Sequence, residues 1–250
     1  MIELHGVRKV FPGPAGEPVI AVDDVTLRVA RAEVLCIIGT SGCGKTTTMK
    51  MINRLVEPTE GAVRVDGQDV RALDPIRLRR SIGYVIQRGG LFPHRSVADN
   101  VGLLCRLEGW DPARTRERVA ALLELVGLPA DDFGRRYPRE LSGGQQQRVG
   151  VARALALDPP VVLMDEPFGA LDPITRAQLQ REFAELRARL GKTIVMVTHD
   201  LEEAFTLGTR VALMDRGRLV QVGTEAELRD RPAAPFVREF LQRHRRGGHA

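Results

Sequence analysis

The run Val34-Leu35-Cys36-Ile37-Ile38-Gly39-Thr40-Ser41-Gly42-Cys43-Gly44-Lys45-Thr46-Thr47 decides the fold. Its first part, Val34 to Ile38, is a short, unbroken apolar stretch, and Glu33 to Ile38 reads as a buried strand ending at Gly39. Residues 39–46 fit the pattern G-x-x-x-x-G-K-[ST], a loop whose glycines let the backbone curl until several N–H groups point at phosphate oxygens. Lys45 to Leu55 then has helix-forming composition, and Pro58 stops it. In this order the helix N-terminus adds its partial positive charge to the same anion. Lys45 is expected to reach the β and γ phosphates of a nucleotide, and the Thr46 hydroxyl to ligate Mg2+. The expected nucleotide-binding set is therefore Gly39, Thr40, Ser41, Gly42, Cys43, Gly44, Lys45, Thr46 and Thr47. Cys43 reads as a small residue presenting its backbone, not as a redox switch.

Further along, Val161-Val162-Leu163-Met164 is a second apolar strand, ending in Asp165 and Glu166. Beside a phosphate-binding loop the first carboxylate holds Mg2+. Glu166 is placed to polarise a water against the γ phosphate as a general base. Leu141-Ser142-Gly143-Gly144-Gln145 stands directly before a helical run. Its hydroxyl and N–H groups at a helix start make a second anion site, although the same residues read equally well as an ordinary helix cap.

Around these motifs strand and helix signals alternate, which implies a mostly parallel sheet covered by helices. The first thirty residues differ. Ile2 to Phe11 and Val19 to Val29 read as an antiparallel pair split by Pro12-Gly13-Pro14-Ala15-Gly16. A further hairpin fits 61–70, with Asp66-Gly67 as its turn. The fold class expected is thus α/β, with an N-terminal antiparallel subdomain (1–30 and 61–70), a nucleotide-binding core (31–60, 71–96 and 151–225), an inserted helical lobe (97–150) and a C-terminal tail (226–250).

Length and composition agree with one large domain carrying an embedded lobe: 250 residues, 43% hydrophobic and 28% charged. No apolar run approaches the roughly 18 residues of a membrane span. The start, Met1-Ile2-Glu3-Leu4-His5, lacks the basic and apolar features of a secretory signal, so a cytosolic chain is expected. Three cysteines, Cys36, Cys43 and Cys105, do not make a disulfide framework. The net charge of +5 with only 4% aromatics argues against a single-stranded nucleic-acid binder, which needs stacking platforms. Only Arg243-His244-Arg245-Arg246 is a basic run, read as a disordered, solvated end.

In combination these motifs resemble the ATP-binding cassette (ABC) proteins, whose signature motif is matched by Leu141, Ser142, Gly143, Gly144 and Gln145. The resemblance covers about residues 1–225. It implies that Phe11 stacks on adenine and that Gln87, in Tyr84-Val85-Ile86-Gln87, is the Q-loop glutamine and a Mg2+ ligand with Thr46 and Asp165. It further implies that Asp172, in Ala170-Leu171-Asp172, belongs to the D-loop, and that His199 is the switch histidine acting with Glu166 and Gln87 in catalysis. The cofactors implied are ATP and Mg2+. The partner implied is a second ATP-binding subunit, arranged head to tail so that each ATP lies between one loop 39–46 and the other copy's signature motif.

A single free-standing cassette resembles an importer subunit that docks on separate transmembrane permeases at the cytoplasmic face of the inner membrane. An extracytoplasmic solute-binding protein is then an indirect partner, and no nucleic acid is expected. Three segments are similar to the cassettes of osmoprotectant importers for glycine betaine, proline, carnitine or choline: 46–61, 82–87, and 90–101 with its Gly90-Leu91-Phe92-Pro93-His94. In that group the stretch after Gln87 contacts the permease. Many members carry paired regulatory domains after the cassette, whereas this sequence stops at Ala250, so such regulation is not expected. A cassette for another small polar solute such as an amino acid, and a soluble ABC ATPase acting on nucleic acid, are the alternatives.

Overall fold

A computed structural model describes residues 1–14, 16–87 and 90–246, without the side chains of 188, 189 and 244–246. The chain divides into two compact units, Met1–Arg79 with Thr193–Ala250, and Arg80–Lys192.

In the first unit, β1 (Ile2–Pro12) pairs antiparallel with β2 (Pro18–Val29), Ile2 facing Val29 and Phe11 facing Val19. The other edge of β1 takes β4 (Glu60–Val65), which turns through Asp66-Gly67 into β5 (Gln68–Asp69). The expected hairpin is present with a short second arm. The Asp69 carboxylate accepts from the Arg71 N–H and opens a 3-10 turn at Val70. The buried strand is β3 (Val34–Gly39), all of whose residues are out of solvent. It is flanked in parallel by β8 (Thr193–Val197) and β9 (Arg210–Asp215), and β10 (Arg218–Gly223) closes that side antiparallel to β9. Burial on both faces explains why β3 and β8 read as continuous apolar runs. Helix α1 (Lys45–Ile52) packs against β3 and β8. It ends three residues before the expected Leu55, because Arg54 turns to a positive φ of 54°.

The tail expected over 226–250 is corrected by the structure. Within the described residues it carries α10 (Glu225–Asp230) and α11 (Pro235–Arg246). Thr224 and Glu227 form a reciprocal capping box at the start of α10. Val237, Phe240 and Leu241, spaced as one helix face, are buried under α11. The basic run is thus the last turn of a helix, not a disordered end. Residues 247–250 lie outside the described residues.

In the second unit, β6 (Ile82–Val85) and β7 (Val161–Asp165) pair in parallel, with Val85 facing Met164. The stretch 97–150 is helical: α3 (Val97–Val101), α4 (Leu103–Leu107), α5 (Pro112–Leu125), α6 (Ala130–Phe133) and the start of α7 (Gly143–Ala154). The long α8 (Pro173–Leu190) follows β7, while α9 (Leu201–Leu207) belongs to the first unit. Arg118 of α5 donates from Nε to the Ala156 carbonyl at 3.0 Å and from Nη2 to that of Leu155 at 2.8 Å, satisfying acceptors that the end of α7 leaves open.

Residues 92–96 are tied together by one side chain. Asn100, fully buried, accepts from the Phe92 N–H at 2.7 Å and donates to the carbonyls of Phe92, Arg95 and Ser96 at 3.0–3.1 Å. Replacing Asn100 by Ala leaves those backbone groups without their partner, and a buried unsatisfied group costs about 1–3 kcal/mol. We therefore predict that Asn100→Ala lowers the urea midpoint and opens residues 91–96 to limited proteolysis; unchanged cleavage there would show that the segment is held by something else.

Candidate functional site

The first unit contains the phosphate-binding loop. Gly39 leaves β3 with φ 148° and Gly44 begins α1 with φ 97°, both in backbone territory that favours glycine. A Cβ at 39 would stand 2.1 Å from the Met214 carbonyl oxygen, and one at 44 would stand 2.3 Å from that of Ala21. Any side chain at either position would force the loop away from its neighbouring strands. Within the loop the Cys43 N–H donates to Thr40 O at 3.2 Å, and Gly217 N–H donates to Cys43 O at 3.1 Å. Lys45 is buried, and its ammonium donates to the carbonyls of Gly39 at 3.0 Å and Thr40 at 2.9 Å. A cation is thus held against the inside of the loop by weak neutral acceptors, ready for a stronger anionic one.

Thr46 and Thr47 are half-buried in the first turn of α1. Phe11 is 37% exposed in β1 and Lys9 Nζ lies 4.8 Å from its ring centre, so the aromatic face meets a cation and has room for another flat partner. His199 is exposed in the bend between β8 and α9. That bend is fixed at its backbone: Thr198 N–H donates to Ile37 O at 3.1 Å, the Thr198 hydroxyl donates to buried Glu203 at 2.7 Å, and Asp200 caps α9. His199 shares a cavity of about 300 Å3 with Gly39, Thr40 and Ser41.

The second unit holds the carboxylates. Asp165 is buried at the end of β7, and Glu166, the next residue, adopts a left-handed φ of 44°, uncommon for a side chain of its size. Gln87 Nε2 donates to Glu166 Oε2 at 2.6 Å, so the Q-loop amide grips the proposed base. Sequence reasoning assigns Gln87 to Mg2+ with Thr46 and Asp165, and in the structure its amide N–H donates to Glu166. Tyr84 was missed by sequence reasoning as a site residue. Burial, then the Asp165 charge and hydrogen bond, hold its phenol well above the ordinary tyrosine range. The signal was available in the strand period: Tyr84 pairs with Leu163, two residues before Asp165 and therefore on its face.

Ser142 is the N-cap of α7. Its Oγ accepts from Gln145 N–H at 3.3 Å, and Gln145 Oε1 accepts from Ser142 N–H at 2.9 Å, a reciprocal capping box. The cap uses Oγ as acceptor and leaves its O–H proton as a donor. Leu141 is buried, whereas Ser142 and Gly143 are exposed. At buried Gly144 a Cβ would come within 2.9 Å of Thr175 Cγ2 on α8, so this glycine is set by helix packing. Asp172 caps α8 by accepting from Thr175 N–H at 3.0 Å, and the Thr175 hydrogen bonds hold its carboxyl below the usual range. Two residues further on, Ile174 is 82% exposed.

Within the second unit Gln87 and Asp165 carry oxygen donors of the hard kind that Mg2+ takes. Among the described residues no cluster of three His, Cys, Asp or Glu could cage a metal.

Comparison with known proteins decides the family. A family model described as ABC transporter matches residues 22–169. This chain belongs to the ABC transporter family. It is 52% identical to the glycine betaine/carnitine/choline transport ATP-binding protein OpuCA of Bacillus subtilis (strain 168), over 98% of this chain and 63% of that protein. It is 50% identical to the glycine betaine uptake system ATP-binding protein YehX of Escherichia coli (strain K12), over 99% of this chain and 78% of the relative. The chain therefore spans a little under two thirds of the length of OpuCA and more of YehX. Among solved structures it is similar to the ATP-binding cassette MJ0796, seen as a dimer in a post-hydrolysis state bound to ADP and Pi. That likeness has a TM-score of 0.80 at 35% identity, covering 90% of this chain and 98% of MJ0796. The α/β cassette fold expected from the sequence is the fold found.

Cys36, Cys43 and Cys105 are all buried and free, and burial pushes the Cys43 thiol up. A raised pKa keeps a thiol protonated to higher pH, so at about pH 8 Cys43 carries little of the reactive thiolate. We predict that Ellman's reagent modifies none of the three thiols in the native protein and all of them after denaturation. Modification of native Cys43 at the rate of free cysteine would contradict the placement.

Proposed function

We propose that this chain is the ATP-hydrolysing subunit of an importer for a quaternary amine or other osmoprotectant, such as glycine betaine, carnitine, choline or proline. The observation that carries the reading is the grip of Gln87 on Glu166 beside a strand-end carboxylate, in a chain about half identical to transport ATP-binding proteins for such solutes. The family alone does not separate this solute class from amino acids. The names of the relatives favour quaternary amines, and they include a choline transport ATP-binding protein of Bacillus subtilis, 51% identical to this chain.

In this reading ATP enters the loop 39–46. Its phosphates take the place of the Gly39 and Thr40 carbonyls as acceptors for Lys45, and ionic acceptors form the stronger bonds. Phe11 lies against the adenine. Thr46, Asp165 and Gln87 would hold Mg2+, which supplies charge neutralisation for the phosphate oxygens. Glu166, oriented by Gln87, accepts a proton from the attacking water, and His199 steadies the γ phosphate. Ser142 O–H and the N–H groups of Gly143 and Gly144 sit at the start of α7. They serve the ATP held by a second copy, in keeping with the dimeric form of MJ0796. ATP then closes the pair and its loss opens it, and the difference in affinity between the two states drives transport. The Asn100-ordered segment, with Phe92 41% exposed, is the face offered to the permeases, which position the chain at the cytoplasmic side of the membrane.

Two variants separate binding from chemistry. Glu166→Gln keeps the amide contact in size and loses the base, so it is predicted to bind ATP normally while kcat falls by about 10²-fold or more. Lys45→Ala is predicted to lose nucleotide affinity itself. Normal turnover in Glu166→Gln would remove the base assignment. For the solute class, deleting the gene is predicted to abolish uptake of radiolabelled betaine or choline at high osmolarity. Unchanged uptake of those solutes, with loss of amino-acid uptake, would overturn it.

A further inference from the structure

Strand β6 ends at Val85, and the next two residues are Ile86 and Gln87, whose amide donates to Glu166 at 2.6 Å. Gly90 follows with a left-handed φ of 55°. A Cβ at 90 would stand 2.1 Å from Ile86 Cδ1 and 3.2 Å from Arg153 Nη2, so the bare backbone is pressed between an apolar side chain and a guanidinium. Arg153 Nη1 also donates to the Gly90 carbonyl. A contiguous set of contacts therefore runs from Arg153 through Gly90 to Ile86, the residue before Gln87.

Arg153 works from a fixed base. It stands one residue before the end of α7, where the helix lies so close to β6 that a Cβ at Gly83 would come within 2.5 Å of the Ala154 carbonyl oxygen. Just beyond it, Arg118 of α5 donates to the carbonyls of Leu155 and Ala156. The Arg153 side chain is half-buried, and burial pulls its pKa below the ordinary arginine range. Among the described residues it pairs with no carboxylate, and its hydrogen bond goes to the neutral Gly90 carbonyl. Desolvating a charge against a neutral acceptor is costly, and an apolar side chain of similar length would pack without that cost. What the guanidinium adds is its hold on Gly90. We infer that Arg153 is a positioning residue: by clamping the Gly90 backbone against Ile86 it fixes Gln87 where its amide meets Glu166, and so sets the orientation of the base. The inference rests on the ATPase reading above.

The test uses the full chain with Arg153→Met, which keeps an unbranched stem and removes the donors, and Arg153→Lys, which keeps a cationic donor. Both are first checked for unchanged thermal unfolding. Arg153→Met is expected to lower kcat by about tenfold, the scale of a slightly misplaced catalytic group, with ATP affinity changed by less than about twofold. Arg153→Lys is expected to stay within about threefold of the parent, because its ammonium can donate to the same carbonyl. A parent-like kcat in Arg153→Met, or an equal loss in the two variants, would overturn the proposal. A double-mutant cycle asks whether the effect runs through Gln87: in a Gln87→Ala background Arg153→Met is expected to cost less than about twofold more, and the full loss there would also overturn it. An activity-independent readout is the Gln87 side-chain amide resonance, assigned with Gln87→Ala. It is expected downfield of free glutamine amides in the parent and in Arg153→Lys, and at the free value in Arg153→Met; the same position in the parent and in Arg153→Met would contradict the role. A parent chain without ATPase activity, alone or with its permeases, would instead contradict the proposed function, and the amide resonance would still decide what Arg153 does.

Discussion

The structure depends on keeping a buried ammonium inside a loop of its own backbone. Lys45 is 8% exposed, and among the described residues its ammonium donates to the carbonyls of Gly39 and Thr40 and to the Cys43 sulfur. Burying a charge against neutral acceptors is costly, and it persists because the loop is held from outside. Gly39 and Gly44 sit against the carbonyls of Met214 and Ala21, and Cys43 O takes the Gly217 N–H, so the loop is gripped by β9, by β2 and by the turn that follows β9. The parallel register of β3 with β9 sets Met214 opposite Gly39 at the end of the strands. The loop is therefore shaped before any phosphate arrives, and the uncompensated cation is what an anion relieves.

The same economy appears in the second unit, where functional groups are also structural ones. Ser142 and Asp172 are helix caps, and Gly144 is the point at which α7 and α8 come together. Each cap satisfies open backbone N–H groups while leaving something over: the Ser142 proton, and the exposed Ile174 that follows Asp172. The two readings of the signature segment, cap and anion site, are thus compatible, since capping uses the hydroxyl as an acceptor and an anion needs it as a donor.

Much of this was legible in the sequence because its signals are local. Buried strands announced themselves as apolar runs, and the loop as a spaced pair of glycines before lysine. What was not legible depended on contacts between distant residues or on side chains that redirect the backbone. Gln87 and Glu166 are 79 residues apart, and no spacing rule pairs them. Asp69 cut β5 short by accepting from Arg71, and a positive φ at Arg54 ended α1 early. Helix α11 was hidden by the attention its basic end drew. Its buried face of Val237, Phe240 and Leu241 and the Thr224 and Glu227 cap of α10 before it were both readable, and they outweigh four basic residues at a helix terminus.

The central claim is that the loop is preshaped by glycines pressed against neighbouring strands, and that this shape, rather than the charge of Lys45 alone, confers nucleotide binding. Calorimetric titration of the parent and of Gly44→Ala with ATP tests it most directly, with circular dichroism confirming that both are folded. The account predicts saturable binding to the parent and none at the same concentrations to the folded variant, whose Lys45 is intact. Equal affinity in the two would contradict it.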